Sequence, residues 1–161
     1  MSAVDGFVAR VDAAGHRLSA AAGSGGSAGL TSPDARTGER WDAGQAWAHV
    51  VELVPYWIGQ VRAVLAAPED GAAFGRTVSD PGRIEAIERD RRRSGAEIAL
   101  ALDRNDADLR AFLRDLSAAD LRRAGTHPTL GRMSVEEIVD RFLVAHLEEH
   151  AAQIEELGSR G

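Results

Sequence analysis

The fold is indicated first by residues 133–157, MSVEEIVDRFLVAHLEEHAAQIEEL. Ser134 and Glu137 match the S-x-x-E capping box that begins many helices, and Met133 and Ile138 are spaced for a hydrophobic staple around it. Beyond this start, apolar side chains recur every three or four residues until a glycine follows the stretch. This spacing predicts one long amphipathic helix with a single buried face.

Three further helices are predicted upstream, over about residues 4–21, 42–65 and 81–104, because each range carries an apolar stripe of the same spacing. Asp42 and Gln45 form a capping box at the second start, and the pair Asp80 and Pro81 marks the third. Residues 109–116 continue as a short helix, and residues 117–120 open another turn.

The connecting segments are predicted to be irregular. Residues 23–38 are rich in glycine and serine, and residues 125–131 contain two glycines and a proline, so both read as loops. No run alternates apolar and polar residues long enough to predict a strand. Four long helices with one apolar stripe each bury those stripes most simply in an all-α four-helix bundle, and 161 residues favour a single domain, 1–161.

Composition excludes several chemistries. The chain has no cysteine, so it contains neither disulfides nor a cysteine-ligated zinc or iron–sulfur site. Its 19 basic residues are all arginine, which rules out a lysine Schiff base. A formal net charge of −6 argues against nucleic acid or an anionic membrane as partner. No long uncharged apolar run is present, so we expect a cytoplasmic protein with a small-molecule substrate.

Three of the five histidines share inward-facing stripes. His146 and His150 are four residues apart on the last helix, so their side chains lie one turn apart on the same face. His49 lies in one row with Leu53 and Trp57 on the second helix. Three imidazoles inside a bundle suit one zinc, nickel, copper or iron ion with an open coordination position. The alternative is that each is a hydrogen-bonded core histidine.

Groups around these histidines have predicted roles too. Glu52 lies one turn beyond His49 and is the candidate carboxylate for its second ring nitrogen. The Val51 carbonyl competes for that role, since Pro55 has no N–H to donate to it and should bend or open the helix there. His16 is expected on the surface. His127, next to a proline in a loop, reads as a turn residue, although a loop at the bundle mouth could bring it to a substrate.

The roles of charged residues near the expected site are predicted from their positions in the sequence. Glu148 and Glu149 point away from the histidine face and are predicted to be solvated or paired within the helix. Residues 91–93, all arginine, and Arg132 are candidates to orient an acidic substrate at the site entrance, with a solvated helix face as the alternative.

The combined pattern resembles the DinB-like proteins. The resemblance covers about residues 4–157 and rests on three motifs in their usual order: Trp41-Asp42-x-x-Gln45-x-x-x-His49-x-x-Glu52, His127-Pro128-x-x-Gly131, and His146-x-x-x-His150-x-x-Gln153-Ile154. It implies a four-helix bundle with a long crossover between helices 2 and 3. It also implies one divalent metal, often zinc or nickel, on His49, His146 and His150.

Characterised members of that family include mycothiol-dependent maleylpyruvate isomerases and bacillithiol S-transferases, in which the metal holds a small thiol as thiolate. The leading hypothesis is therefore a metal-dependent thiol S-transferase or isomerase that uses mycothiol or another low-molecular-weight thiol, in a homodimer. The alternatives are a metal-dependent hydrolase and a non-enzymatic metal- or ligand-binding stress protein. A deep cavity with basic groups favours the thiol, whereas a shallow site with a poised carboxylate favours hydrolysis.

Overall fold

Side-chain caps begin the long helices after the first one. Asp42 accepts a hydrogen bond from the Gln45 backbone N–H at 2.8 Å, and Ser134 accepts one from the Glu137 backbone N–H at 3.2 Å, so both predicted capping boxes are present. A third box, built from Ser94 and Glu97, begins another long helix between these two. Each cap satisfies a backbone N–H that has no partner inside its helix.

A computed structural model describes residues 2–23 and 29–159. Residues 24–28, which belong to the predicted glycine- and serine-rich loop, lie outside the described residues. In chain order the elements are α1 (Ala3–Gly23), α2 (Ala43–Ala66), β1 (Ala72–Ala73), α3 (Pro81–Asp90), α4 (Gly95–Asp115), α5 (Ala118–Arg122), β2 (Ala124–His127), β3 (Gly131–Ser134), α6 (Val135–Ile138), a π-helical segment (Val139–Val144) and α7 (Ala145–Ser159).

The predicted all-α four-helix bundle is confirmed. Helix α1 packs against α4 and α7, and α2 packs against the same two helices from the other side. The core between them is aliphatic, with Leu53, Val61, Leu109, Leu113 and Leu143 all at 1% exposure or less. Residues 67–94, which contain β1 and α3, form the long crossover between α2 and α4. None of the helices in the described part of the chain is long and apolar enough to cross a membrane.

The predicted third helix is wrong in its boundaries. The chain forms two helices where one was expected over 81–104, because α3 ends at Asp90 and α4 begins only at Gly95. The capping box of Ser94 and Glu97 supplies the new start, and a turn separates the two helices. Helix α4 then runs without interruption into residues 109–115, which were expected to form a separate short helix.

The expected absence of strands is also wrong. Strands β2 and β3 pair as an antiparallel hairpin, and β1 pairs in parallel with β2. The hairpin occupies residues 124–134, which includes the predicted loop 125–131. Its strands have only four residues each and β1 has two, so no alternating pattern was long enough to reveal them. Gly131, with φ of +75°, provides the left-handed position at which the second strand begins.

The last helix is not regular along its whole length. Between α6 and α7 the backbone widens into a π-helix over Val139–Val144, and the Ala145 N–H donates to the Asp140 carbonyl five residues earlier. This wide turn ends two residues before His146. π-helical turns are rare in globular proteins and often occur at functional sites.

Candidate metal centre

His49, His146 and His150 come together between α2 and α7. One ring nitrogen of each lies within 4.8 Å of the other two, and the Nε2 atoms of His49 and His146 are 3.4 Å apart. His49 is 2% exposed and His150 is 3% exposed, while His146 is partly buried. The structure therefore brings together the three histidines that the sequence singled out.

The outer ring nitrogens of two of these histidines have fixed partners. His49 Nδ1 lies 2.9 Å from a Glu52 carboxylate oxygen, and His150 Nδ1 lies 2.7 Å from the Gln153 side-chain oxygen. Both oxygens accept hydrogen bonds, so each Nδ1 carries the proton and each Nε2 presents a lone pair. The Nε2 atom of His150 is buried and has no hydrogen-bond partner among the described residues. A lone pair held in this way is suited to a cation.

The environment keeps all three imidazoles neutral. Burial lowers the pKa of His49 and His146 well below the usual value, and the neighbouring His150 adds to the effect in both cases. Burial lowers the pKa of His150 to about 4, although its hydrogen bond to Gln153 acts in the opposite direction. Neutral imidazole is the form that binds a metal, so the cluster is ready to coordinate at neutral pH.

Glu52 lies beside the outer ring nitrogen of His49, as expected from the sequence. The Val51 carbonyl, the other candidate for that contact, has a different partner. The Val51 carbonyl accepts a hydrogen bond of 2.9 Å from the Asn105 side-chain amide on α4. Helix α2 stays continuous through Pro55, because Asn105 replaces the missing backbone donor. Glu52 is itself held by the Arg76 guanidinium as well as by His49. Sequence reasoning did not find Asn105 or Arg76, since both come from distant parts of the chain.

A cavity of about 330 Å³ opens beside the three histidines. Trp41 forms part of its wall and contacts two of them: its ring meets His49 edge-on at 4.8 Å between centroids and stacks on His150 at 5.7 Å. Trp57 and Phe142 stack on each other at 4.2 Å and form another part of the wall. The imidazoles are thus reached through a cavity that has aromatic walls.

The other two histidines lie outside this cluster. His16 is exposed, as predicted. His127 serves the turn of the β2–β3 hairpin, because its Nδ1 accepts hydrogen bonds of 3.3 Å from the backbone N–H groups of Thr129 and Leu130. It is nevertheless 5% exposed and lines the cavity, and its Nε2 has no hydrogen-bond partner in the described residues. The turn residue is therefore also a cavity residue.

The predicted arginines do not line the cavity. Arg91 pairs with Asp42 and Glu88, Arg93 pairs with Asp90, and Arg132 pairs with Asp70. These pairs form because α3 packs beside the start of α2 and the hairpin lies beside the end of α2, away from the histidines. The arginines that do line the cavity come from the loop before α2, from the crossover and from the π-helical segment: Arg36, Arg76, Arg83 and Arg141.

The interpretation of the two glutamates on α7 also needs correction. Glu148 accepts hydrogen bonds of 2.8 and 2.7 Å from Arg10 on α1, and Glu149 pairs with Arg36 in the loop before α2. Both ion pairs therefore join different elements, whereas pairs within the helix or free carboxylates were expected. The packing of α1 and of the loop against α7 places these arginines there, and helix spacing alone carries no information about it.

Comparisons with known proteins agree with this architecture. A family model described as the DinB superfamily matches residues 8–154. Among solved structures, the chain is similar to YfiT from Bacillus subtilis, described as a probable metal-dependent hydrolase with an unusual four-helix bundle topology. That match has a TM-score of 0.76 and 19% sequence identity, and it covers 98% of this chain and 86% of that chain. A search of curated proteins found no match. Because the family model spans nearly the whole sequence, the predicted relationship is confirmed, and the chain belongs to the DinB superfamily.

Proposed function

We propose that His49, His146 and His150 bind one divalent metal ion, zinc or nickel, and that the protein is a metal-dependent thiol S-transferase or isomerase. The observation that carries the metal site is the buried Nε2 of His150, which has no partner among the described residues and lies within a group of three converging ring nitrogens. A donor set of three neutral imidazoles fits both metals and leaves a coordination position open.

The chain's own residues prepare this site in two ways. Glu52 and Gln153 hold the protons of His49 and His150 on their outer nitrogens, which fixes the ring orientation and directs the lone pairs inward. Trp41 packs against both rings and limits their movement and their access to water. When bound, a divalent metal supplies a Lewis acid that lowers the pKa of a thiol or water in the open position.

The carboxylates around the cavity favour a thiol over water as the group to be activated. Glu52 is held by His49 and Arg76, and Glu39 is held by Arg83 through both carboxylate oxygens. Asp34 accepts hydrogen bonds from two backbone N–H groups. Each of these carboxylates already serves another group, so none is poised to take a proton from water. A chain without cysteine also depends on an added thiol for a thiolate nucleophile.

Metal-dependent hydrolysis is the second candidate. The similarity to YfiT supports it, since that protein is described as a probable metal-dependent hydrolase. A three-histidine metal also suits water activation, in which case Glu52, the carboxylate on the outer nitrogen of His49, is the candidate to assist. The two candidates share the metal and differ in the molecule that occupies the open position.

The metal site is tested by the metal content of single variants, with protein purified without an affinity tag. We expect about one metal per chain in the wild type and loss of metal in His49→Ala and His146→Ala. His16→Ala and His127→Ala are matched controls that should keep the metal, because neither belongs to the cluster. Unchanged metal content in both cluster variants would refute the site, and loss of metal in His127→Ala would show that the hairpin supplies a ligand.

The role of Glu52 is tested by Glu52→Gln, which keeps the size of the side chain and weakens its hold on His49 Nδ1. We expect metal affinity to fall by about tenfold or more, the usual effect of losing a carboxylate behind a metal-bound histidine. Glu155→Gln, which alters an exposed carboxylate on α7, is the control. Equal affinities in the two variants would contradict the proposed role.

A cobalt-substituted sample distinguishes the candidate functions. Addition of mycothiol, bacillithiol or glutathione is expected to produce a thiolate charge-transfer band. Binding of the thiol should release protons and should weaken as the pH falls below neutrality. Turnover of simple esters or amides with no response to any thiol would support the hydrolase instead. Absence of both responses in metal-loaded protein would refute both enzymatic functions and favour a metal- or ligand-binding protein.

A further inference from the structure

Arginines outnumber carboxylates in the lining of the cavity, although the protein as a whole is acidic. The whole chain has a formal net charge of −6, yet four arginines line the cavity against two acidic residues, Asp34 and Glu39. A charge in a cleft attracts a ligand of the opposite sign where it is not already paired. An arginine without a carboxylate partner, and a divalent metal on the three histidines, would therefore both attract an anion.

Three of the four arginines already have carboxylate partners. Arg36 pairs with Glu149, Arg76 pairs with Glu52, and Arg83 is held by Glu39. Arg76 and Arg83 are largely buried, with side chains 9% and 8% exposed, so their positions are fixed by these contacts. These three guanidinium groups therefore help to shape the cavity wall.

Arg141 differs from the other three. It forms no ion pair or hydrogen bond with any residue in the ranges 2–23 and 29–159, although it lines the cavity. Its guanidinium carbon lies 5.8 Å from the centre of the Phe142 ring. Its charge also contributes to the lowered pKa of His127, which places it near that side of the cavity. A planar guanidinium with free N–H groups matches a carboxylate in bidentate geometry.

The wall beside Arg141 is aromatic. Phe142 stacks on Trp57 at 4.2 Å with an angle of 10° between the planes, and on His127 at 5.3 Å with an angle of 18°. All three rings line the cavity. His127 adds a buried Nε2 that lacks a hydrogen-bond partner in the described residues. This wall suits a flat, apolar group, with polar atoms available at its edge.

We propose that the cavity binds a small carboxylic acid with a flat, apolar body, that Arg141 binds its carboxylate, and that the stack of Trp57, Phe142 and His127 binds its body. This proposal deepens the proposed function, because it assigns the substrate class of the same cavity. Arg141 is thus a specificity-determining residue. A carboxylate can bind Arg141 whether or not a metal occupies the three histidines. Failure of this proposal can therefore be told apart from failure of the proposed metal site.

Binding of benzoate, benzamide and inorganic phosphate tests this assignment, with tryptophan fluorescence, to which Trp41 and Trp57 of the cavity wall contribute, or calorimetry as readout. Titrations are made with zinc-loaded and with EDTA-treated protein. We expect benzoate to bind with a Kd on the order of 1 mM and its neutral isostere benzamide to bind about tenfold or more weakly. Arg141→Gln should lose this preference, and Arg141→Lys should recover part of it. Arg104→Gln, which alters an exposed arginine on α4 that has no ion pair among the described residues, should behave as the wild type.

Four results would overturn the assignment. Equal binding of benzoate by the wild type and Arg141→Gln would show that the guanidinium is not the anchor. Loss of benzoate binding on EDTA treatment, together with normal benzoate binding by zinc-loaded Arg141→Gln, would show that the acid binds the metal. That result would support the metal site and refute the role of Arg141 as the carboxylate anchor. Tighter binding of phosphate than of benzoate, or no binding of benzoate at about 10 mM, well above the expected Kd, would refute the carboxylate class. Zinc content, measured in the same samples, reports on the metal site separately.

Discussion

Acid should destabilise the metal-free protein through the buried histidines, and His150 allows the size of the effect to be calculated. In the folded protein the pKa of His150 is about 4, because the ring is buried. In the unfolded chain it returns to the ordinary value of about 6.5. Between these two values the unfolded state binds a proton that the folded state does not, so stability decreases as the pH falls.

The slope for one such group is about 1.4 kcal/mol per pH unit. Lowering the pH from 7 to 5 crosses about 1.5 units of this window, so His150 alone should remove about 2 kcal/mol of unfolding free energy. His49 and His146 shift in the same direction and add to the loss. Most of the decrease should occur below pH 6.5, and the stability should be nearly constant above it.

Urea unfolding of EDTA-treated protein at pH 7 and pH 5 measures this effect. The difference in unfolding free energy between the two pH values should be about 2 kcal/mol smaller in His150→Gln than in the wild type. His16→Gln removes an exposed histidine and should leave the difference unchanged. An equal pH dependence in the wild type and His150→Gln would refute the conclusion that burial keeps this imidazole neutral.

Two further predictions concern the scaffold around the site. Asn105→Ala should cost about 1–3 kcal/mol in urea unfolding, because it leaves the buried carbonyl four residues before Pro55 without a donor. Adding Pro55→Ala, which restores a backbone N–H, should recover part of that cost, and a purely additive double variant would contradict this explanation. Gly75→Ala should lower the free energy of urea unfolding and weaken benzoate binding. The reason is that φ is +83° and a Cβ there would lie 2.5 Å from a carbon of the His127 ring. Gly59→Ala, at an exposed helical position with open space, should instead stabilise by about 0.5–1 kcal/mol, and similar effects at the two glycines would refute the steric argument.

The sequence predicted the bundle because helix signals are local. Apolar spacing and the capping boxes at Asp42 and Ser134 lie within a few residues of one another, so the starts of α2 and α6 could be located without tertiary information. The box at Ser94 is equally local and was missed, which merged α3 with α4. The hairpin could not be found by periodicity, since its four-residue strands depend on pairing with each other and with β1.

The histidine cluster was also predictable, whereas the groups around it were only partly so. Two residues, Glu52 and Gln153, are three positions from their histidines, and helix geometry places such pairs side by side. By contrast, Arg76 reaches Glu52 from 24 residues away, and Asn105 reaches the Val51 carbonyl from 54 residues away. Contacts over such distances follow from the packing of α2 against the crossover and α4, which no local pattern encodes.

The π-helical turn over Val139–Val144 has a consequence for insertions and deletions. A π-turn closes with an i→i+5 hydrogen bond and so holds one more residue than an α-turn, and this segment can therefore lose one residue and close into a regular helix. A deletion within a regular α-helix turns the segments on its two sides by about 100° relative to each other. Here the wide turn absorbs the missing residue, so the residues preceding it and the two histidines on α7 would keep the faces that they present. A chain shortened by one residue at this place would therefore tolerate the loss far better than one shortened within the regular part of α7.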